Sequence, residues 1–388
     1  MEETFATVTP ELPAEFLQEA RGRFARFVSE APGTIAVLCH SDADGLAAGA
    51  IVTRALREVG REAVALTTGK GGSAWSEESK QALANAAAGA VIVCDLGLRS
   101  QPVVENLPTF FIDHHRPAGL PPDAERNVAT GYGLDPVPTS GLLALECAEG
   151  ILPGALGMLD WIAAISILSD IGDKSAFSMV APAKKKYGAG ILREAVPLLN
   201  APRRTSTGDA SEALALLISA GGPREITTGA TPASAALAAA REEVNIAYNE
   251  AKKASPRFAG PAAAVRIHSP CQVHPLIAQI WRTRLPKFIV MGVNTGFRPG
   301  WVHFSCRCGK GTNLLDFLRA NRPEGASDET YGQGHDQAGG GALPVAVWNR
   351  FARHLGFGED MQVNEDDSAS PAVANAPEAK QLSLSIDP

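Results

Sequence analysis

Phe110-Phe111-Ile112-Asp113-His114-His115 decides how this chain is read. An apolar run that stops on three ionisable residues predicts a buried strand. It delivers Asp113, His114 and His115 to a loop at its C-terminal end, the edge where open α/β sheets place their sites. Two earlier runs end the same way. Ile35-Ala36-Val37-Leu38-Cys39 meets His40-Ser41-Asp42-Ala43-Asp44-Gly45, and Val91-Ile92-Val93-Cys94 meets Asp95. A further carboxylate, Asp170, follows the apolar run over residues 161–168. Oxygen ligands and imidazoles converging from several strand ends suit manganese or magnesium better than zinc.

Outward from that stretch, residues 12–30 carry helical apolar spacing through Phe16, Phe24 and Phe27, and Pro32-Gly33 ends the run. Strands are predicted at 35–39, 64–68, 91–94 and 108–112, with helices at 45–59, 77–88 and 101–106. This alternation predicts an α/β fold with a parallel sheet covered by helices on both faces. A proline-rich loop follows the double histidine. Thr139-Ser140-Gly141 then opens a helix to residue 149, and another spans 156–168 before Asp170 and Asp173. A second, smaller α/β unit is expected, with strands at 263–268, 288–294 and 301–306, a helix from 313 and a final helix at 345–355. The expected organisation is a first lobe at 1–190, a helical connector at 191–260, a second lobe at 261–359 and a disordered acidic, Ser/Ala/Pro-rich tail at 360–388.

The composition, 45% hydrophobic and 20% charged over 388 residues, is enough for more than one core. A formal charge of −7 excludes a bulk basic coat for gripping duplex DNA. Six cysteines do not make a disulfide scaffold, and Cys306-x-Cys308 has no second pair to complete a zinc ribbon. The start, Met1-Glu2-Glu3, lacks an apolar leader, and no apolar run reaches membrane-spanning length. A cytoplasmic protein without a membrane partner is expected.

The strand-end residues imply chemistry as a set. Alternation along an extended segment would put His40, Asp42 and Asp44 on one side. Carboxylates crowded without a cation repel and raise at least one pKa. Two divalent ions remove that conflict, with Asp95 from a neighbouring strand as the bridge. Such ions, roughly 3.5–4 Å apart, hold a hydroxide for attack on phosphorus. Each piece also has a bland reading: Asp44-Gly45 and Asp95-Leu96-Gly97 are turn sequences, and a His-His pair sits readily on a surface. The ordered set H-x-D-x-D-G, strand-ending Asp, D-H-H and a later Ser-Asp is what those readings leave unexplained.

This set resembles the DHH family of phosphoesterases over most of residues 34–345. The matching motifs are His40-Ser41-Asp42-Ala43-Asp44-Gly45, Asp95, Asp113-His114-His115 and Asp170. The segment Gly332-Gln333-Gly334-His335-Asp336-Gln337-Ala338-Gly339-Gly340 resembles the glycine-rich G-G-G-H segment of the DHH-associated domain. The resemblance implies two lobes facing a cleft and two manganese ions, with magnesium as the alternative. It implies Asp42, Asp44, Asp95, His114 and Asp170 as metal ligands, with His40 as a further one. His115 would contact the scissile phosphate or support the ligands, and Asp113 would orient the histidines. Arg307, His335 and the backbone N–H groups of Gly332 and Gly334 would hold substrate phosphate.

Three departures bear on substrate. Family members acting on very short oligonucleotides place a histidine four residues before the first motif aspartate. Here that position is Leu38 and the histidine is His40, a spacing closer to the RecJ branch of exonucleases. Gln333 interrupts the glycine segment, and no appended nucleic-acid-binding domain is expected after residue 360. The resulting expectation is a manganese-dependent phosphodiesterase or exonuclease. It would release nucleoside monophosphates from single-stranded DNA or RNA or short oligonucleotides, with a homodimer as the assembly considered. The alternatives are hydrolysis of a small phosphate compound, such as a cyclic dinucleotide, nucleoside bisphosphate or polyphosphate, and a catalytically weak partner in a replication or repair assembly.

Other candidates read as structural. Lys70 lacks P-loop spacing. Lys184-Lys185-Lys186 reads as a solvated face, and Trp281, Trp301 and Trp348 as packing residues. His268 and His274 read as surface histidines. Asp173 competes with Asp170 for the fourth motif.

Overall fold

The computed structural model describes residues 12–327 and 330–364. The chain divides into two compact units, Met1–Val244 and Asn245–Pro388.

The first unit is built on a five-stranded parallel sheet: β1 (Ile35–Cys39), β2 (Ala63–Thr67), β3 (Ala90–Cys94), β4 (Thr109–Asp113) and β5 (Val128–Thr130), in the order β2-β1-β3-β4-β5. β1 and β3 are buried along their whole length, as expected of central strands covered on both faces. One face, carrying Ile35, Val37, Ile92, Phe110 and Ile112, packs on the helices Ala14–Glu30, Ala43–Glu58, Ser140–Glu149 and Asp160–Asp170. The other, carrying Ala36, Leu38, Val91, Val93 and Phe111, is covered by Leu83 of the Glu77–Asn85 helix and by Ala74, Leu98 and Val103. The fold class is therefore α/β, as the strand and helix alternation implies. The strand order reverses between β1 and β3. That 2-1-3-4-5 order is the flavodoxin-like arrangement, whose ligands bind at the β1/β3 switch point.

The second unit holds a six-stranded mixed sheet: β6 (Arg257–Ala259), β7 (Ala262–Ile267), β8 (Ile289–Arg298), β9 (Trp301–Arg307), β10 (Tyr331–His335) and β11 (Ala338–Pro344), ordered β10-β11-β9-β8-β7-β6. Among the described strands only β7 and β8 run parallel, joined by the His274–Arg284 helix. Phe304, Trp348 and Phe351 form the centre of its core, which places Trp348 in the packing role expected for it.

Several local expectations change. Residues 101–106 form bends and turns rather than a helix. Pro102 lies within the segment, Pro108 follows shortly after it, and Asn106 takes a left-handed φ of 60°. The helix expected over 156–168 is broken at Leu159 into Ala155–Met158 and Asp160–Asp170. His274 is buried at the start of a helix, its ring against Phe297 and His303, so it is no surface residue. The disorder expected from residue 360 does not hold for residues 360–364. Glu359–Met361 forms a 3-10 turn, Met361 and Val363 are buried, and Trp348 Nε1 donates to the Met361 carbonyl at 3.0 Å. Residues 365–388 lie outside the described residues. No helix among the described residues is long and apolar enough to cross a membrane.

Candidate metal centre

At the C-terminal edge of the first sheet, β1, β3 and β4 all end in ionisable side chains. The segment after β1 is not extended, contrary to the alternation argument. Asp42 caps the Ala43–Glu58 helix, accepting from the Gly45 N–H at 3.0 Å, and Asp44 lies in the first helical turn. The turn sets Asp42 beside His40 and Asp44 beside His114. Gly45 is required by closeness: a Cβ there would lie 2.5 Å from the His40 carbonyl oxygen and 2.6 Å from its Cβ. Asp95 follows β3 with a left-handed φ of 63°. Such strain in a non-glycine residue collects at functional sites, and aspartate tolerates it better than most.

The side chains gather around Asp95. Its Oδ2 lies 3.4 Å from His40 Nδ1. Its Oδ1 lies 3.5 Å from His114 Nε2 and 3.7 Å from His115 Nδ1. His40 Nδ1 is also 3.0 Å from Asp42 Oδ2. His114 Nε2 faces Asp44 Oδ2 at 3.8 Å and Asp170 Oδ2 at 3.6 Å. Among the described residues three sets have ligand atoms within 4.8 Å of one another and could hold an ion: His40 with Asp42 and Asp95, Asp44 with His114 and Asp170, and Asp95 with His114 and His115. The first two sets share no residue, and Asp95 turns one oxygen toward each.

The residues fit divalent cations. His40 Nδ1 and His114 Nε2 are buried and make no hydrogen bond among the described residues, although each is ringed by carboxylate oxygens. A buried polar atom left in that state is costly unless something else binds it. The pKa directions show the same tension. Burial and the negative charges of Asp95 and Asp170 raise Asp44 well above the carboxylate range. Burial, Asp42 and Asp95 push Asp170 up to about 7. Burial disfavours charge on His40, but Asp42 and Asp95 raise it to about 10. Asp42 stays well below its ordinary value despite burial, held there by His40 and Arg203.

Asp113 takes a supporting place. Its Oδ1 accepts from the His115 N–H at 2.7 Å and lies 3.2 Å from His115 Nδ1, and its Oδ2 accepts from the Gly97 N–H at 2.7 Å. Burial alone would raise this carboxyl, but the His115 ring and those N–H groups hold it low. Burial likewise disfavours charge on His115, which Asp113 and Asp95 nevertheless raise to about 9.

Residues that sequence reasoning missed complete the cage. Asp44 is fully buried and accepts from the Ser140 N–H at 3.0 Å, the Gly141 N–H at 2.8 Å and Ser166 Oγ at 2.6 Å. The first two donors are the start of the Ser140–Glu149 helix, whose positive end stabilises a carboxylate. Ser140 Oγ donates to Asp95 Oδ1 at 2.8 Å. The only sequence signal was Thr139-Ser140-Gly141 as a helix start; nothing in it named the carboxylate behind. Asp173, the competitor of Asp170, is exposed and pairs with Lys184 at 3.0 Å and Arg193 at 2.8 Å.

In the second unit Arg307 ends β9, with Nη1 donating to Ser305 Oγ and to the Cys306 carbonyl, both at 2.8 Å. By backbone register His335 pairs with Ala338, and Ala338 with Arg307, so the three share one row across β10, β11 and β9. Gly332 has a φ of 77° at the register shift between Tyr331 and Gln333, so it is the extra residue of a bulge outside the ladder pairing. Gly334 is needed for close strand approach, since a Cβ would lie 2.2 Å from the Ala338 carbonyl oxygen.

Solved structures share this architecture. RecJ from Thermus thermophilus in complex with Mn2+ matches with a TM-score of 0.64 at 19% identity, over 89% of this chain and 55% of that one. The chain thus spans about half the length of that RecJ. A structure of exonuclease RecJ bound to manganese matches with a TM-score of 0.62 at 20% identity, over 92% of this chain and 99% of that one. The fold is that of the RecJ-like DHH proteins. The DHH domain of a member of a ribosomal-protein family also matches, with a TM-score of 0.61 at 14% identity over 88% of this chain and 90% of that one. No protein-family model and no curated protein matches the sequence. At these identities the likeness concerns the fold, and the Thermus RecJ has been solved with Mg2+ as well as Mn2+.

Proposed function

We propose that this protein is a metal-dependent phosphodiesterase that degrades single-stranded DNA or RNA, or short oligonucleotides, to nucleoside monophosphates, with Mn2+ as the working ion. The observation that carries this reading is Asp95, one buried carboxylate with an oxygen turned toward each of two separate ligand sets. In this reading His40 and Asp42 hold one ion, Asp44, His114 and Asp170 hold the other, and Asp95 serves both. Bound divalent ions supply Lewis-acid activation of water and neutralise charge on the phosphoryl oxygens.

The protein's own groups do the rest. Ser140, Gly141 and Ser166 fix Asp44 so that it does not rotate away from the ions. Asp113 fixes the His115 ring, which stands at the edge of the cluster as a partner for the substrate phosphate. Arg307, His335 and the Gly332 and Gly334 backbone of the second unit hold a terminal phosphate; the shared row of His335 and Arg307 supports that reading. The acidic balance of the chain, −7, favours a second reading with a small phosphate compound as substrate.

The test offers the Mn2+-loaded protein end-labelled oligonucleotides of graded length, cyclic dinucleotides and polyphosphate. Stepwise mononucleotide release from oligonucleotides supports the first reading, and turnover of the small compounds alone supports the second. Bound Mn2+ with no turnover of any phosphate substrate overturns both and leaves a binding role.

A further inference from the structure

The Pro202–Arg204 turn brings to the metal centre a cation that no strand end supplies. Arg203 is largely buried, and its Nη2 lies 3.9 Å from Asp42 Oδ2. That is longer than the roughly 2.7–2.9 Å of a charge-assisted hydrogen bond. Among the described residues its one hydrogen bond runs from Nε to Asn200 Oδ1 at 3.3 Å. Neither terminal amino group has an acceptor among the described residues.

The placement is built. Asn200 Oδ1 also accepts from the Ala43 N–H at 3.3 Å, and Asn200 Nδ2 donates to Ser169 Oγ at 3.4 Å. One amide therefore registers the turn against the Asp42 segment and against the neighbour of Asp170. The loop beyond is fastened as well. Lys70 Nζ donates to the Ser206 carbonyl at 2.9 Å, the Ser206 N–H donates to Glu243 Oε1 at 2.7 Å, and Thr205 Oγ1 donates to the Pro202 carbonyl at 2.7 Å. A long side chain loses less freedom on binding when its base is held in this way. A guanidinium serving only to neutralise Asp42 would close onto it. This one stands off, with its two-pronged end unspent beside the cluster, and a planar fork of that kind matches the oxygens of a phosphoryl group.

We propose that Arg203 contacts substrate: its terminal amino groups donate to the non-bridging oxygens of the phosphodiester held at the metal centre. The inference rests on the phosphodiesterase reading. It adds a contact from the first unit's own chain, outside the strand-end motifs.

The test compares the native chain with Arg203→Ala and Arg203→Lys, all Mn2+-loaded. Three quantities are measured: hydrolysis of a labelled thymidine hexanucleotide, affinity for thymidine 5′-monophosphate by calorimetry, and Mn2+ affinity by electron paramagnetic resonance. For Arg203→Ala, kcat/KM is expected to fall roughly 10²–10³-fold, as on removal of one positioned donor. Monophosphate affinity is expected to fall about 10-fold. Mn2+ affinity is expected to stay within about 3-fold, added guanidinium to restore part of the rate, and Arg203→Lys to lie between. Turnover that falls only in step with Mn2+ binding, with no rescue by guanidinium, overturns the proposal. If the native chain hydrolyses no phosphodiester yet binds the monophosphate in an Arg203-dependent way, the enzymatic reading fails and the contact stands. Monophosphate affinity indifferent to Arg203 refutes the contact whatever the enzyme does.

Discussion

Replacing Gly141 by alanine puts a methyl group into the cradle of Asp44. The added Cβ would lie 2.5 Å from both Cβ and Oγ of Ser166, and 3.3 Å from Asp44 Oδ1. Ordinary carbon contacts are about 3.5–4.0 Å, so the two helices must separate by roughly 1 Å. Ser166 has no room to yield, being fully buried and bonded to Thr139 Oγ1 at 2.5 Å and to Asp44 at 2.6 Å. Separation therefore lengthens the Gly141 N–H bond to Asp44, the Ser166 bond, or both. Overpacking of about 1–3 kcal/mol plus the loss of a charge-assisted bond of about 1.5–3 kcal/mol gives a destabilisation of about 2.5–6 kcal/mol. In a unit of this size that lowers Tm by on the order of 10 °C. The assay is thermal unfolding with and without Mn2+, alongside Mn2+ titration. Gly157→Ala is the control, because a Cβ there meets nothing within 4 Å. A Gly141→Ala protein that melts with the native one and binds Mn2+ equally well would refute the claim that this glycine exists to let two donors reach Asp44.

Four further outcomes are expected. Asp170→Ala should abolish turnover, whereas Asp173→Ala should leave it within about 2-fold, since exposed ion pairs contribute little; equal losses in steady-state assays would misplace the fourth ligand. Arg307→Ala should raise KM for a substrate with a terminal phosphate roughly 10- to 100-fold while sparing the Tm, and an unchanged KM would remove that residue from substrate binding. His40 and His115 are raised to about 10 and about 9 against ordinary values of 6.5. A raised folded-state pKa adds stability that is complete below 6.5 and lost as pH climbs through 9–10, so the metal-free protein should weaken over that window. A flat Tm between pH 6.5 and 10 would contradict the charge pattern described for the cage. Ser140→Ala removes the hydroxyl that bonds Asp95 and should weaken Mn2+ binding roughly 10-fold, as loss of supporting partners does at metal sites; calorimetry showing native affinity would make that bond incidental.

The gathering of His40, Asp42, Asp44, Asp95, Asp113, His114, His115 and Asp170 was legible because each lies at or beyond the end of an apolar run. In a parallel sheet the strand ends share one edge, and Asp170 is instead carried there by the C-terminus of the Asp160–Asp170 helix. The local path was not legible. An Asp-x-Asp-Gly segment reads equally as an extended stretch or a capped helix start, and only the Gly45 contact with His40 decides between them. Ser140, Ser166, Asn200 and Arg203 went unseen for another reason. They act across 96, 122, 157 and 161 positions of chain on Asp44, Ala43 or Asp42, and no local spacing encodes such a partner. The β10–β11 hairpin escaped because five of its twelve strand residues are glycine. Alternation of side chains, the usual mark of a strand, has nothing to act on there.

Position 95 asks two things of one residue: a backbone turned to positive φ and an oxygen for each side of the cage. Aspartate meets both demands. Asparagine meets the first nearly as well, being among the few L-residues at ease in that conformation, but brings an amide where an anion is needed. A single amidation-equivalent substitution at this site would thus leave a chain that folds, survives and looks native while its chemistry has gone silent. Descendants of such a molecule would be recognisable by shape long after they ceased to turn over anything.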